Sequence, residues 1–339
     1  MPVITIKDIA RRAGVSVATV SYVVNRNRYV SPELTERVVH AIEELGYSPN
    51  AIARSLRQKN TRMIGLIVPD SSNPFFAEIA KGVEDAGYDK GYSVILCNSN
   101  AQTERELVYL DLLRSKRVDG IIFIATSMHI EHIRTFVKAG IPVVIFYRDI
   151  PGLDIDTFRI DNFQAGYIAT RHLIQLGHRE IACIQPASAL TPSGQRVEGY
   201  KQAMQESGLL WDEALMPRGD NRVSGGKDAA QALVQSGRSF SAIFSTNDAM
   251  AIGAMRALRI LGYRIPQTLS IVGVDDILLA SFTEPPLTTV AQPKYEAGCQ
   301  AVDFLIQRIE GGYDQGPRNI QLEIKLIERE STMPYIQTS

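Results

Sequence analysis

Hydrophobic positions follow two different patterns along the chain. Up to about residue 46, apolar residues recur at helical spacing, as in Ile6, Ile9, Ala10 and Ala13. From residue 62 onwards, short continuous apolar runs alternate with amphipathic stretches, and Met63–Val68 is the first such run. Runs of this kind are typical of parallel strands that are buried on both faces. The pattern therefore predicts a small helical segment followed by a larger α/β segment.

Residues that begin or end helices divide the first segment into three helices. Thr5 caps a helix that Gly14 ends, and Ser16 caps a second helix, Val17 to about Val24. A third helix has proline at its first position and runs over Pro32–Leu45. Two short helices joined by a glycine turn predict a helix-turn-helix unit, whose second helix is of the size that enters a major groove.

The segment that follows the third helix predicts a linker. Pro49 and Asn50 lead into Ala51–Arg57, which is too short to form a stable helix by itself. Leu56 within it is apolar and has no evident core to join. It either packs on the next domain or inserts between base pairs in a minor groove, with the neighbouring arginines on phosphates.

The larger segment contains two series of predicted strands with helices between them. The first series is Met63–Val68, Ser93–Leu96, Gly120–Ile124 and Val143–Phe146, and the second is Ile181–Ile184, Ala242–Phe244 and Ser270–Val274. Two such series predict two lobes, each with a doubly wound parallel sheet. Ligands of such sheets bind beyond the carboxyl ends of the strands, so we expect a cleft between the lobes that closes by a hinge motion.

Polar and aromatic residues cluster just after these strand ends. The candidates for ligand binding are Asn73, Phe75, Phe76, Asp161, Arg196, Asn221, Asn247 and Asp275. Carboxylates and amides can pair with several hydroxyl groups, and aromatic rings cover the apolar face of a sugar, so the set suits a polyhydroxylated ligand. The alternative for each residue alone is that Asn or Asp after a strand caps a helix or makes a turn.

Charge and cysteine content narrow the class of protein. Residues 1–62 hold ten basic and five acidic side chains, a net charge of +5, whereas the rest of the chain has a net charge of −6. This asymmetry indicates that only the first part meets a polyanion. The three cysteines, Cys97, Cys183 and Cys299, have no metal-ligand spacing, and their odd number argues against a disulfide framework. With no apolar run long enough to span a bilayer, we expect a cytoplasmic protein without membrane contact.

No catalytic or metal-binding motif is evident. There is no serine elbow and no phosphate-binding loop. His129 and His132 lack a third ligand, so a solvated helix face is favoured over zinc. Asp275 and Asp276 are adjacent in a strand and would point to opposite faces. We therefore expect neither an enzyme nor a cofactor, but a protein that binds a small molecule, which we expect to be a carbohydrate.

Several segments together resemble the lactose/galactose repressor family of bacterial transcription regulators. The resemblance rests on the headpiece segments Thr5–Ala10, Gly14–Ser16, Ala18–Ser21 and Val23–Asn25, on the hinge-like Ser48–Leu56, and on Leu176–Arg179 and Pro286–Val290 in the lobes. It covers essentially the whole chain and is strongest to the ribose and purine repressor branch. The resemblance implies a repressor that binds a palindromic operator as a homodimer, and a small molecule that controls it.

The family pattern also implies roles for matching positions in the headpiece and hinge. Val17, Ala18 and Tyr22 would face base edges, with Leu56 as the wedge. The other residues implied in DNA binding are Thr5, Ser16, Thr19, Ser21, Asn25, Tyr29, Asn50, Ala53 and Arg57. Many relatives have Arg or His in place of Tyr22 and a polar residue in place of Val17, so the operator sequence stays open.

The implied domain boundaries follow the same pattern. We expect a headpiece at 1–48, a hinge helix at 49–60, and an effector-binding and dimerisation domain at 61–339. Within that domain, the first lobe is expected over about 61–161 and 291–322, and the second over about 162–290 and 323–339.

Three other questions stay open at this point. The effector either releases the operator or acts as a corepressor, as in the purine branch. Asn221 stands where a relative places an aromatic ring, and Leu190 and Pro192 replace polar residues of the purine branch, which disfavours a purine as the effector. A regulator that responds to a phosphoprotein would need a basic surface on the helix after Pro293, where this chain has Asp303 and Gln307. A sugar-binding protein or sugar-modifying enzyme is the alternative from another class.

Overall fold

The computed structural model describes residues 4–25, 28–47, 60–124, 131–147, 152–153, 155–188, 193–313 and 315–336. It divides into two compact units, Met1–Thr61 and Arg62–Ser339. The predicted hinge residues Asn50, Ala53, Leu56 and Arg57 lie outside the described residues, as do His129, Leu190 and Pro192. The hinge helix therefore stays a prediction.

The first unit is the predicted bundle of three helices. They are α1 (Ile6–Ala13), α2 (Val17–Asn25) and α3 (Pro32–Leu45). Gly14 adopts a left-handed conformation with φ of 64°, which turns the chain between α1 and α2. Ile9, Val20 and Val38, one from each helix, are fully buried against one another in a shared core.

The second unit contains two sheets. The strands are β1 (Met63–Val68), β2 (Ser93–Asn98), β3 (Gly120–Ile124), β4 (Val143–Phe146), β5 (Asp156–Arg159), β6 (Ile181–Ile184), β7 (Ala242–Ser245), β8 (Ser270–Asp275), β9 (Thr288–Ala291), β10 (Asn319–Gln321) and β11 (Lys325–Ile327). The helices are α4 (Pro74–Asp89), α5 (Thr103–Ser115), α6 (Glu131–Lys138), α7 (Asn162–Gln175), α8 (Gly194–Glu206), α9 (Val223–Gln235), α10 (Asp248–Ile260) and α11 (Lys294–Ile309).

The two sheets define two lobes. In the first lobe the strand order is β10-β5-β4-β3-β1-β2 and every pair is parallel. In the second lobe the order is β11-β9-β8-β7-β6, with only the pair β11 and β9 antiparallel. The chain passes between lobes after β5, after β9 and after β10. The prediction of a helical headpiece followed by two doubly wound lobes is confirmed.

Close helix contacts position the start of α8. A Cβ atom added to Gly166 in α7 would lie 1.9 Å from the carbonyl oxygen of Arg196. A Cβ atom added to Gly199 in α8 would lie 2.0 Å from the carbonyl oxygen of Phe163. Both positions therefore require glycine, because the two backbones touch where they cross. This contact fixes the location of Arg196 relative to the start of α7.

The described ranges contain neither a membrane-spanning helix nor a metal-binding cluster. Every helix there is too short or too polar to cross a bilayer. The same ranges hold no group of three or more histidine, cysteine, aspartate or glutamate side chains arranged around a metal position. Cys97 and Cys183 are buried thiols, and Cys299 is partly exposed.

Candidate effector site and DNA interface

A buried ion pair lies at the carboxyl ends of the strands in the second lobe. Nη1 of Arg196 is 3.1 Å from Oδ1 of Asp275, and both side chains are about 7% exposed or less. Arg196 also donates from Nε to Oδ1 of Asn162 and from Nη1 to the carbonyl oxygen of Thr246. Gln292 donates to the same Oδ1 of Asp275 at 2.8 Å. These contacts bring together α7, α8 and the ends of β7, β8 and β9.

Two of the predicted asparagines meet beside this pair. Asn247 caps α10 by accepting a hydrogen bond from the backbone N–H of Met250, and its Nδ2 donates to the carbonyl oxygen of Asn221. Asn221 has a positive φ of 65°. Its own amide oxygen accepts from the backbone N–H of Ala187. The asparagines thus shape the backbone of the site, and Asn247 follows Thr246, which accepts from Arg196.

The first lobe contributes aromatic rings. Asn73 caps α4 by accepting from the backbone N–H of Phe75, which orients the next two residues. Phe75 is buried, Phe76 is half-buried, and their rings meet edge to face at 5.1 Å. The ring of Tyr147 lies 5.7 Å from that of Phe75. Burial and the negative charge of Asp275 raise the pKa of Tyr147, so its hydroxyl stays protonated and can donate.

The charge state of Asp275 is set by competing effects. Burial raises the pKa of Asp275 to about 6, against the opposing influence of the positive charges on Arg196 and Lys294. Burial, assisted by the charge on Asp275, also raises the pKa of the neighbouring Asp248. Asp248 accepts hydrogen bonds from Thr289 and from the backbone N–H of Ile277, so its role is to hold the loop after β8.

Asp161 stands apart from the other candidates. Its side chain is exposed, and Oδ1 accepts from the backbone N–H of Gln164 at 2.7 Å. It therefore caps α7, as the alternative interpretation of such residues expects. The neighbouring Asn162 is buried and contacts Arg196 instead. Asp276 pairs with Arg329 at 2.6 Å, away from the carboxylate of Asp275.

The second helix of the headpiece presents the residues predicted to face bases. Val17 and Ala18 are exposed and Tyr22 is half-buried on α2. Ser16 accepts from the backbone N–H of Thr19 at 3.0 Å, which caps α2 as expected. Nδ2 of Asn25 donates to the backbone carbonyl of Ser21. The remaining predicted contacts in this unit are exposed, with Thr5 at the start of α1 and Tyr29 after α2.

The comparison with protein families decides the class. Residues 61–330 match the family described as periplasmic binding proteins and sugar binding domain of the LacI family, and residues 5–50 match bacterial regulatory proteins of the lacI family. The chain belongs to the LacI family. The resemblance inferred from the sequence is thereby confirmed, and the LacI-family helix-turn-helix and two-lobed sensor are those described above.

Individual members of the LacI family match along nearly the whole chain. The ribose operon repressor of Escherichia coli (strain K12) is 41% identical over 330 residues, covering 96% of this chain and 99% of the relative. A solved complex of the transcriptional regulator CelR with cellobiose is 32% identical, with a TM-score of 0.73 and coverage of 97% and 99%. The lac repressor dimer bound to operator and an anti-inducer is 26% identical, with a TM-score of 0.85 and coverage of 98% and 100%. These relatives are regulators, not enzymes.

Sequence reasoning missed several residues of this LacI-family cleft. They are Tyr147, Asn162, Thr246, Gln292 and Lys294. The rule that led to the candidates, polar residues after strand ends, covers Tyr147 after β4 and Asn162 beside Asp161 equally well. Gln292 directly follows β9, which the sequence analysis did not predict as a strand, and Lys294 lies two residues further along the passage between lobes.

The headpiece also contains a side-chain contact that the sequence analysis did not predict. The guanidinium of Arg28 lies over the ring of Tyr22, 5.5 Å from its centroid, and Nη1 is 3.5 Å from the Tyr22 hydroxyl. Tyr22 is one of the residues that the family resemblance places at the base edges. Arg28 supplies a guanidinium beside that position, although its place between helices gave no sign of this in the sequence.

Proposed function

We propose that this protein is a sugar-controlled repressor that binds a palindromic operator as a homodimer. Val17, Ala18 and Tyr22 face base edges in the major groove, while Thr5, Ser16, Thr19, Ser21, Asn25 and Tyr29 contact the backbone of the duplex. The hinge residues Asn50, Ala53, Leu56 and Arg57 bind at the centre of the operator, with Leu56 as the wedge. The effector binds between the lobes and shifts operator affinity.

The observation that carries the effector proposal is the buried pair of Arg196 and Asp275. Arg196 uses Nε and Nη1 within the protein, and Asp275 uses Oδ1. In the described part of the chain, neither Nη2 of Arg196 nor Oδ2 of Asp275 has a hydrogen-bond partner. A donor and an acceptor side by side suit two neighbouring hydroxyl groups of a sugar, which offer one of each.

Aromatic side chains support a carbohydrate as the ligand class. Phe75, Phe76 and Tyr147 form an aromatic cluster in the first lobe, and Tyr147 lies close enough to Asp275 of the second lobe for the charge of Asp275 to raise its pKa. A sugar binds well between an aromatic side chain and fixed hydrogen-bonding groups, because one face of the sugar ring is apolar and its edges carry hydroxyl groups. The relative named for the ribose operon makes D-ribose the first sugar to test, with cellobiose as the disaccharide comparison.

Two apolar surfaces of the sensor suit a second copy of the chain. In the second lobe, Leu278 and Phe282 are more than 70% exposed, as is Ile260 at the end of α10. Arg259 donates to the carbonyl oxygen of Glu284, which brings the end of α10 close to the segment with Leu278 and Phe282. In the first lobe, a groove of about 520 Å³ beside α4 is lined in part by Tyr88, Val94 and Leu96. Exposed apolar area of this kind is typical of an obligate contact.

The test begins with operator selection. The purified chain is incubated with a random duplex pool without ligand, and bound DNA is sequenced. We expect a palindrome, whose half-site spacing reports the dimer. Enrichment without ligand indicates that the effector releases DNA, whereas enrichment only with a sugar or nucleobase indicates corepression. No enrichment under any of these conditions would refute the repressor assignment.

Cleft variants test the sensor separately. Asp275→Asn and Arg196→Ala are expected to keep operator binding and to lose the response to sugar, which for allosteric regulators is typically 5–150-fold in affinity. Arg114→Ala, which removes an exposed arginine paired with Asp111, is the matched control. An unchanged sugar response in both cleft variants would show that the effector binds elsewhere.

Control by a phosphoprotein is disfavoured by the pairing on α11. Asp303 forms an ion pair with Lys90 at 2.9 Å, so its negative charge faces the surface where a basic residue would be needed. Gln307 accepts a hydrogen bond from Arg318. Both arrangements leave this face of α11 poorly suited to a phosphate group.

A further inference from the structure

Two consecutive residues at the end of β8 have left-handed backbones. Asp275 has φ of 123° and Asp276 has φ of 54°, although neither is glycine. Such conformations are unfavourable for residues with a side chain and persist only where surrounding contacts enforce them. The strained pair includes Asp275, whose direction decides whether its carboxylate meets a ligand in the cleft.

A buried ammonium group supplies the enforcing contacts. Nζ of Lys294 donates to the carbonyl oxygens of Asp275 at 2.7 Å, Asp276 at 3.0 Å and Gln292 at 3.2 Å. These three bonds use all three hydrogens of the ammonium. Lys294 is 4% exposed, and lysine is almost never buried to this extent without partners.

The same ammonium reaches the first lobe. Its Nζ lies 3.6 Å from Oε2 of Glu78, which is on α4 and therefore on the helix that presents Phe75 and Phe76. Lys294 itself begins α11, directly after the passage of the chain from the second lobe to the first. The side chain of Lys294 thus contacts the Asp275–Asp276 turn, the passage between the lobes and helix α4.

We propose that Lys294 is a positioning residue of the effector site, which holds the Asp275–Asp276 turn so that the carboxylate of Asp275 points to the ligand. The proposal rests on the effector site assigned above. Lys294 does not need to touch the effector, because it acts through backbone carbonyls and through its charge. Without it, the turn relaxes and the carboxylate turns away.

Charged groups surround Asp275 from several elements. The positively charged neighbours of Asp275 are Arg196 on α8 and Lys294. The acidic groups nearby are Asp248 on α10, Asp276 and the phenol hydroxyl of Tyr147. Loss of the Lys294 charge removes one of the influences that lower the pKa of Asp275, so this pKa should rise. A change in the pKa therefore reports the charge of Lys294, whereas the direction of the Asp275 carboxylate reports its positioning role.

The experiment compares wild type with Lys294→Met in the full-length protein. D-Ribose binding is measured by calorimetry at pH 7.5, and the direction of the Asp275 side chain is determined in crystal structures of both proteins. We expect ribose affinity to fall at least tenfold, and the Asp275 carboxylate to turn away from its wild-type direction. Lys90→Met, which removes a lysine from a surface pair with Asp303, is expected to change neither quantity.

A milder variant tests the same proposal in case Lys294→Met does not fold. Glu78→Gln leaves the three carbonyl contacts of Lys294 in place and removes only its partner in the first lobe, so we expect a smaller loss of affinity than in Lys294→Met. If Lys294→Met is folded and its Asp275 carboxylate keeps the wild-type direction, the positioning role is overturned, whatever happens to affinity. If Lys294→Met does not fold, the proposal stands or falls on whether Glu78→Gln weakens ribose binding.

The two proposals fail in different ways. If the wild type binds no ribose, cellobiose or nucleobase, the assignment of the effector site fails, while the crystal structure of Lys294→Met still decides the role of Lys294. A turned Asp275 carboxylate supports that role, and an unchanged direction refutes it.

Discussion

Arg222 and Asp70 join the two lobes across the cleft. Nε and Nη2 of Arg222 lie 3.0 and 2.8 Å from Oδ2 of Asp70. The other carboxylate oxygen of Asp70 accepts from the hydroxyl and the backbone N–H of Ser72, so both oxygens of the carboxylate are held in place. Arg222 follows Asn221 of the proposed effector site, which places the pair at the edge of that site.

Removal of this ion pair is expected to favour separation of the two lobes, because the pair is a contact across the cleft. The side chain of Arg222 is 59% exposed, so water and salt screen the interaction. Exposed pairs contribute about 0.2–1 kcal/mol, so Arg222→Ala should weaken sugar binding no more than about fivefold. Calorimetry at low and high salt checks this, and we expect the difference between the variant and wild type to vanish at about 1 M salt.

A double-mutant cycle separates the pair from other effects of the substitution. Asp70→Asn should weaken sugar binding by the same factor, and the double variant should be no weaker than either single one. Fully additive losses would show that the two side chains act independently of each other.

Most of the fold could be predicted because its determinants are local. Continuous apolar runs such as Val143–Phe146 and end signals such as Ser16 and Gly14 act within a few residues, and the structure has strands and helices at those positions. Candidate ligand residues could be found by the rule that polar groups follow strand ends. The rule could not distinguish Asp161, which caps a helix, from Asn162, which contacts Arg196.

The parts that could not be predicted depend on distant contacts. Lys294 is 19 residues from Asp275, and Arg222 is 152 residues from Asp70. Neither spacing carries a periodic pattern, and a lysine or an arginine in a sequence is by default a solvated side chain. Only the path of the chain between the two lobes brings these groups together.

Arg28 is expected to contribute to operator recognition beside Tyr22. Its guanidinium packs on the Tyr22 ring and so is held against the side of α2. Arginine reads guanine through two hydrogen bonds or binds a phosphate, and the two roles differ in their salt dependence. Arg28→Ala should lower affinity for the selected operator at least tenfold in fluorescence anisotropy.

The DNA sequence preference of Arg28 variants shows whether Arg28 reads a base or binds a phosphate. If Arg28 reads a base, the variant should lose discrimination at one position of each half-site, and Arg28→Lys should not restore it. If it binds phosphate, Arg28→Lys should restore most of the affinity. Unchanged affinity in Arg28→Ala would exclude both roles. Another arginine of the headpiece, Arg37, does not serve as a control, because it donates a hydrogen bond to the carbonyl oxygen of Ala13 and so supports the fold.

Sugar binding should weaken as the pH falls through about 6. Burial raises the pKa of Asp275 to about 6, so its carboxylate is ionised at pH 7.5 and protonated at pH 5. An ionised carboxylate is the better acceptor for a sugar hydroxyl, so affinity should be constant above about pH 7 and should fall by up to about tenfold per pH unit below the pKa. Calorimetry over this range checks the profile. Asp275→Asn should show weak binding without this pH dependence, and stronger binding at pH 5 in wild type would contradict the prediction.

Asp156 is expected to be a major contributor to the stability of the first lobe. Its side chain is fully enclosed and pairs with Arg308 at 2.8 Å and Arg318 at 2.5 Å. Burial acts to raise the pKa of Asp156, but the hydrogen bonds from both arginines outweigh it and the pKa is lowered. Asp156→Asn leaves two guanidinium groups without their counter-ion and should cost about 3–5 kcal/mol.

The pH dependence of that loss has a defined sign. Because the pKa of Asp156 is lower in the folded state, its stabilisation is present above the unfolded value of 3.8 and is lost as the pH falls through the folded value. The difference in melting temperature between wild type and Asp156→Asn should be constant from pH 5 to 8 and shrink below about pH 4. Asp111→Asn, at an exposed pair with Arg114, is the control and should melt like wild type.

Gly166 is expected to control the position of Arg196 through the backbone. A Cβ atom there would lie 1.9 Å from the Arg196 carbonyl oxygen, and no side-chain rotation relieves a contact with backbone. Gly166→Ala must therefore push α8 away from α7 and move Arg196 from Asp275, at a cost of about 1–3 kcal/mol for the overpacked contact. We expect a lower melting temperature and a loss of sugar affinity greater than that of Arg222→Ala. Gly316→Ala, where an added Cβ meets nothing within 4 Å, is the matched control. Wild-type affinity in Gly166→Ala would mean that Arg196 reaches the ligand regardless of how closely these helices cross.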